Sequence, residues 1–252
     1  MDNALHEYAR WVLQPEIPDR PVPPRTSYFV CGTPRCGSWL LCGLLASTGI
    51  AGRPHEWFWQ DTEEANRRAW GVSGSLHYFA CVRAAGTTPN GVFGAKLMWG
   101  QVDDLVIRLR RAAAASSPKA LIAQQFPNPC FIWMKREDIA AQAVSWAKAI
   151  QTGHWHHWDA PSPLRAPTYD REQIDALAAE IGGANAAWRS WFAANEIEPL
   201  TVRFENLVAD PAGGTRTVLR FLDTDGDRVP ITELTVRMSD RLNDDWLTRY
   251  RG

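Results

Sequence analysis

The 252-residue chain carries 27 Lys and Arg against 28 Asp and Glu, and 45% of its residues are hydrophobic. That length suits one large α/β domain, and a net charge of −1 argues against nucleic acid or an anionic membrane as main partner. No apolar run approaches the ~20 residues that a transmembrane segment needs.

The N-terminal stretch lacks the basic start and apolar centre of a signal peptide. Five scattered cysteines (Cys31, Cys36, Cys42, Cys81, Cys130) offer neither a disulfide framework nor metal spacing. A cytoplasmic protein with reduced thiols is expected. The compositional anomaly is 13 tryptophans, which serve either as core or as flat surfaces for sugars and rings.

Residues 1–26 read as a short helix, about Ala4 to Leu13, and a Pro-rich arm from Pro15 to Pro24, extended and semi-rigid. The domain proper is placed at 27–252. Tyr28-Phe29-Val30 predicts a buried strand, and the apolar spacing from Trp39 to Leu45 a helix. Between them lies Gly32-Thr33-Pro34-Arg35-Cys36-Gly37-Ser38. Strand, Gly-bearing turn and helix start aim backbone N–H groups at an anion. It is not a Walker A loop, because no Lys follows the second Gly. The plainer reading is a strand–turn–helix connection with a surface arginine.

Pro54 marks a turn, so Glu56 opens a new segment among Trp57, Phe58 and Trp59. There it is either a partly desolvated carboxyl, its pKa raised toward general-base range, or a helix N-terminal acid. Residues 61–90 are poorly periodic. Asn90 to Trp99 predicts a turn and a strand, with Lys96 reaching over the site or snorkelling from an edge. Gln101 to Ala115 predicts an amphipathic helix with Arg108, Arg110 and Arg111 outward.

Cys130 to Met134 predicts a strand running into Lys135-Arg136-Glu137-Asp138 and the helix Ile139 to Ala149. Charges there sit where open α/β sheets bind ligands, and Arg136 can fork onto a phosphate. The histidines of His154-Trp155-His156-His157-Trp158 suit an aromatic acceptor mouth or an exposed loop better than zinc. Pro161 to Pro167 reads as a loop, Asp170 to Asn195 as a helix weakened at Gly182-Gly183, and Leu200 to Phe204 as a strand. Glu205 to Pro211 turns into a helix from Thr215 to Leu222. This alternation implies an α/β single domain with a central, mainly parallel sheet flanked by helices.

TPRCGSWLL resembles the 5′-phosphosulfate loop of sulfotransferases that use 3′-phosphoadenosine 5′-phosphosulfate (PAPS). NGVFGAKLMW, KREDIAAQAVSWAKAIQTGHW, RFENLVADP and RMSDRLNDDWLTRYR are similar to the bacterial Stf0 branch, typified by trehalose 2-sulfotransferase. The resemblance runs in register from about Ser27 to Arg251. It implies a P-loop-like sulfotransferase fold, PAPS as donor and no metal. The acceptor would be the hydroxyl of a carbohydrate, glycolipid or other small molecule, and a homodimer is implied.

The resemblance also assigns roles. Backbone N–H groups of Cys36, Gly37, Ser38 and Trp39 would cradle the 5′-phosphate, Arg35 would stabilise the leaving phosphate, and Arg136 with Ser145 would hold the 3′-phosphate. Arg237 and Trp246 would close over the adenosine, and Glu56 matches the general base. Apart from the resemblance, Trp57, Trp59, Trp99, Trp155 and Trp158 suit a platform for a sugar, a glycolipid or an aromatic natural product, with Lys96 a further acceptor-binding candidate. Cys36 and Trp39 stand where the branch keeps Ser and Thr, which removes a hydroxyl donor to the 5′-phosphate. The rivals are a P-loop-type small-molecule kinase and a catalytically impaired nucleotide-binding relative.

Overall fold

Along the strand Thr26–Gly32 (β1) alternate side chains face opposite ways, so Tyr28 and Val30 enter one core and Phe29 and Cys31 another. A strand buried on both faces needs helices on both. The computed structural model describes residues 2–112, 115, 117–159, 166–226 and 228–252. In it β1 lies between Val92–Met98 (β2) and Pro129–Lys135 (β3), and Leu200–Arg203 (β4) pairs with β3. The four-stranded order is β2-β1-β3-β4, parallel throughout.

The helices, in chain order, are Asp2–Leu13 (α1), Ser38–Ser47 (α2), Gln60–Trp70 (α3), Ser75–Gly86 (α4), Val102–Ala112 (α5) and Pro118–Gln125 (α6). After β3 come Ile139–Thr152 (α7), Arg171–Ala194 (α8), Phe204–Ala209 (α9), Pro211–Phe221 (α10) and Arg241–Arg251 (α11). Leu41, Leu45, Leu207 and Val218 of α2, α9 and α10 cover the Tyr28 face. Phe79, Leu105, Ile122 and Trp188 of α4, α5, α6 and α8 cover the Phe29 face. A third cluster, with Val144, Ile181 and Trp246, joins α7, α8 and α11.

Several expectations change in detail. Helix α8 runs unbroken through Gly182-Gly183, because Ile181 and Trp188 bury either side of the pair. Helices α6, α9 and α11 are unforeseen. The first and third are short or polar segments started by local caps, Ser117 accepting from the Ala120 N–H and Asp240 from those of Leu242 and Asn243. Helix α10 begins at Pro211, not Thr215, because Asp210 caps it.

Arg108 does not face outward. It pairs with Glu63 at 2.5 Å and Asp104 at 2.8 Å and lies over the Phe79 ring. The expected end of α5 (113 and 114) and most of the Pro161–Pro167 loop lie outside the described residues. No helix among the described residues is long and apolar enough to cross a membrane.

Candidate active site

The chain diverges from the carboxyl ends of β1 and β3, the crevice where parallel sheets place ligands. After β1 the backbone turns left-handed twice, at Arg35 (φ 62) and Gly37 (φ 91). A side chain at Gly37 would place its Cβ 2.4 Å from the Phe204 ring, so only glycine fits. Gln142 of α7 pins the turn, donating to Thr33 Oγ1 at 2.8 Å and to the Pro34 carbonyl at 2.7 Å. No side chain caps α2, which leaves the first-turn N–H groups of Ser38 and Trp39 without a side-chain acceptor. The Cys36 N–H is already engaged with Thr33 O at 3.2 Å, so the expected cradle is one amide smaller.

Three guanidiniums gather here. Arg136 is not remote from the loop, because it lies 4.7 Å over the same Phe204 ring that bounds Gly37. Its buried Nε has no partner. Arg35 donates to Ser145 Oγ at 3.1 Å and to the Trp155 carbonyl at 2.6 Å, both neutral oxygens. Burial lowers the proton affinity of Arg35 and then the charge of Arg136 lowers it further. Burial likewise lowers Arg136, against the opposing pull of Asp138 and Glu205 and with Arg237 adding least. Among the described residues none of the three has an ion-paired carboxylate. Arg35 and Arg136, desolvated and without an ion-paired carboxylate beside an uncapped helix start, are suited to an anion.

Ser145, expected beside Arg136, instead engages Arg35, and the two line a polar recess with Lys148, His154, Met238 and Asn243. Arg237 is exposed and donates to Ser239 Oγ at 2.6 Å. Trp246 belongs to the core: it is 3% exposed and seats α11 on α7 and α8.

The other end of the site is an ion pair. Lys96 lies opposite Val30 in register and so faces α2, where its Nζ donates to Glu56 Oε1 at 2.5 Å and stands 4.9 Å from the Trp39 ring. This corrects the expected pKa of Glu56. Burial, the largest single effect, raises it, but the charge and hydrogen bond of Lys96 together with His156 and His55 outweigh burial and hold the carboxyl below its ordinary value. Glu56 sits in the loop ahead of α3, not in a helical first turn.

The tryptophans divide differently from the expectation. Trp57 is fully buried and donates to Gly94 O, Trp99 packs edge-on to core Trp188, and Trp155 packs against the α7–α8–α11 cluster. Trp59 is half exposed at the start of α3. The rings that meet near Lys96 are Trp39, His55, His156 and Trp158. His156 stacks on Trp158 at 4.7 Å and directs Nδ1 toward Asp159 at 3.4 Å, and Asp159 also accepts from the Trp155 and His156 N–H groups.

A family model described as Stf0 sulphotransferase matches residues 27–252. The chain belongs to the Stf0 sulfotransferase family. A curated trehalose 2-sulfotransferase of Mycobacterium tuberculosis (strain Erdman) is 30% identical, covering 89% of this chain and 94% of its own. The one from Mycolicibacterium smegmatis is 29% identical over 90% and 94%. The solved sulfotransferase from Alicyclobacillus acidocaldarius covers 91% of this chain and 92% of its own, with a TM-score of 0.46 at 12% identity. The sulfotransferase domain of the Synechococcus olefin synthase covers 92% and 90%, with a TM-score of 0.40 at 17% identity. Both are too distant to carry weight.

Beyond the residues named from sequence, folding brings Gln142, Phe204, His55 and Asp159 to this place. Each acts through a contact with residues far along the chain or within an irregular loop, which leaves no periodic signal. Trp39 is the exception, since its place at the start of α2 already put it beside the anion loop.

Proposed function

We propose that the chain transfers the sulfuryl group of PAPS to an acceptor hydroxyl, most simply that of a sugar. The single observation behind this is the gathering of Arg35 and Arg136, without ion-paired carboxylates, beside the uncapped start of α2. The buried free Nε of Arg136 fits one phosphate of such a donor, and the Gly37–Trp39 amides with Ser38 fit the other. When bound, PAPS supplies the sulfuryl group and, in its 5′-phosphate, the leaving group.

The chain's own residues divide the remaining work. Arg35 and the first-turn amides stabilise negative charge growing at the loop. Glu56, ionised at neutral pH because Lys96 holds it so, accepts the proton of the acceptor hydroxyl. Lys96 fixes that carboxylate from the neighbouring strand and brings positive charge to the same place. The sugar acceptor is supported by the trehalose acceptor named for both curated relatives.

Calorimetry with adenosine 3′,5′-bisphosphate should show binding that weakens about tenfold or more in Arg136→Ala, as loss of a charged hydrogen bond implies. Labelled PAPS should transfer sulfate without ATP and Mg²⁺, and Glu56→Gln should lose turnover while still binding the bisphosphate. A flat titration, or a requirement for ATP and Mg²⁺, overturns the reading.

A further inference from the structure

Five aromatic side chains close a circuit at the acceptor end of the site. By ring centroids Tyr8 lies 6.4 Å from Trp11, Trp11 5.6 Å from His55, and His55 5.7 Å from Trp39. Trp39 lies 5.5 Å from Trp158, and Trp158 6.2 Å from Tyr8, which completes it. The Glu56–Lys96 pair adjoins the circuit, through Lys96 over Trp39 and Glu56 next in sequence to His55. Tyr8 and Trp11 come from α1, outside the 27–252 span that the family model matches.

The circuit is polar where it should be satisfied and is not. Tyr8 Oη, Trp11 Nε1, Trp39 Nε1 and His55 Nδ1 are buried without a hydrogen-bond partner. Tyr8 is 6% exposed and His55 2%. Val12, in the last turn of α1, has a carbonyl with no helical donor, and His55 Nε2 lies 2.7 Å from it. A carbonyl only accepts, so Nε2 carries the proton and Nδ1 is a bare acceptor. The set is therefore two indole donors, one imidazole acceptor and one hydroxyl able to do both.

Buried polar groups are ordinarily paired, and four of the unpaired ones among the described residues stand on one ring of aromatic side chains. A ligand that answers them needs flat apolar faces edged with groups that both donate and accept. A sugar ring has that character: C–H faces that lie on aromatic rings, and hydroxyls that pair with either kind of edge. We propose that α1 completes the acceptor site, Tyr8 and Trp11 joining His55, Trp39 and Trp158 in a collar that holds a sugar ring of the acceptor beside Glu56. This rests on the sulfotransferase reading above and adds to it the α1 segment as part of the acceptor site.

The test uses the full chain, saturated with adenosine 3′,5′-bisphosphate, with trehalose and maltose as probes followed by saturation-transfer NMR. At least one disaccharide should bind the wild type, and Tyr8→Phe, which deletes one oxygen and keeps the ring, should weaken it about tenfold. Trp11→Phe should do the same. Bisphosphate affinity should stay within about twofold in both variants, because α1 does not touch the anion loop's amides. Should Trp11→Phe loosen the fold, Tyr8→Phe alone decides. Absence of disaccharide binding in the wild type, or binding undiminished in Tyr8→Phe, overturns the collar. Failure of the wild type to bind the bisphosphate defeats the donor assignment instead, so the two failures are told apart.

Discussion

Glu56 and His55 are consecutive residues that burial pushes toward the neutral form, with opposite outcomes. Burial lowers the His55 pKa to about 4, so the imidazole is neutral and its Val12 contact is a donated bond. Glu56, its side chain mostly buried, stays charged because Lys96 reaches it. Each makes a prediction. For His55 the folded pKa lies below the ordinary 6.5, so the neutral form's contribution is present above that value and is lost as pH falls toward 4. Unfolding free energy should drop by about 3 kcal/mol over that interval, at ~1.4 kcal/mol per pH unit. His55→Gln should flatten this limb in urea titrations at stepped pH; an unchanged limb would show that another group causes it. For the pair, Lys96→Met leaves a buried carboxylate alone and should cost about 3–5 kcal/mol at neutral pH. Lys96→Met with Glu56→Gln should recover part of that loss in the same titrations.

The element on which the donor end depends is the β1–α2 connection. Its two left-handed residues bend the chain so that α2 starts with no side chain over its first turn. Gly37→Ala meets two penalties, a strained φ and the Phe204 ring, whereas Gly49→Ala meets only strain, having nothing within 4 Å of a Cβ. Gly49→Ala should cost about 1 kcal/mol and leave bisphosphate binding alone, while Gly37→Ala should cost about 1–3 kcal/mol or more. Calorimetry should also show Gly37→Ala weakening bisphosphate binding, since relief of the clash must move Phe204 and with it Arg136. Equal behaviour of the two variants would separate the glycine from the site.

For the molecule as a whole, the α7–α8–α11 cluster anchors the C-terminal segment that carries Arg237 and frames the recess beside Arg35. Trp246→Ala removes the cluster's nearly buried indole and should cost about 3–5 kcal/mol. That corresponds to a fall in Tm of roughly 6–20 °C for a chain of this size. Thermal scanning checks it, and an unchanged Tm would mean that α11 is held by its polar contacts alone, among them Arg251 to Asp138, Lys148 to Asp240 and Tyr250 to Asp175.

The strands, the long helices and the anion loop were legible in the linear sequence, because periods of two and 3.6 and a glycine at a forced bend are local properties. So was the likeness to sulfotransferases, carried by residues that cluster at the carboxyl ends of strands. Which tryptophans are core was not, since Trp57 and Trp158 sit in similar aromatic neighbourhoods of the sequence and only packing separates them. The sign of the Glu56 shift was also hidden, because it depends on a lysine 40 residues away that strand register turns toward it. Local chemistry thus determined what the chain is built from and the family it belongs to. Tertiary structure alone decided which charges neutralise one another and which remain free, since those energies depend on distances that folding sets between remote residues.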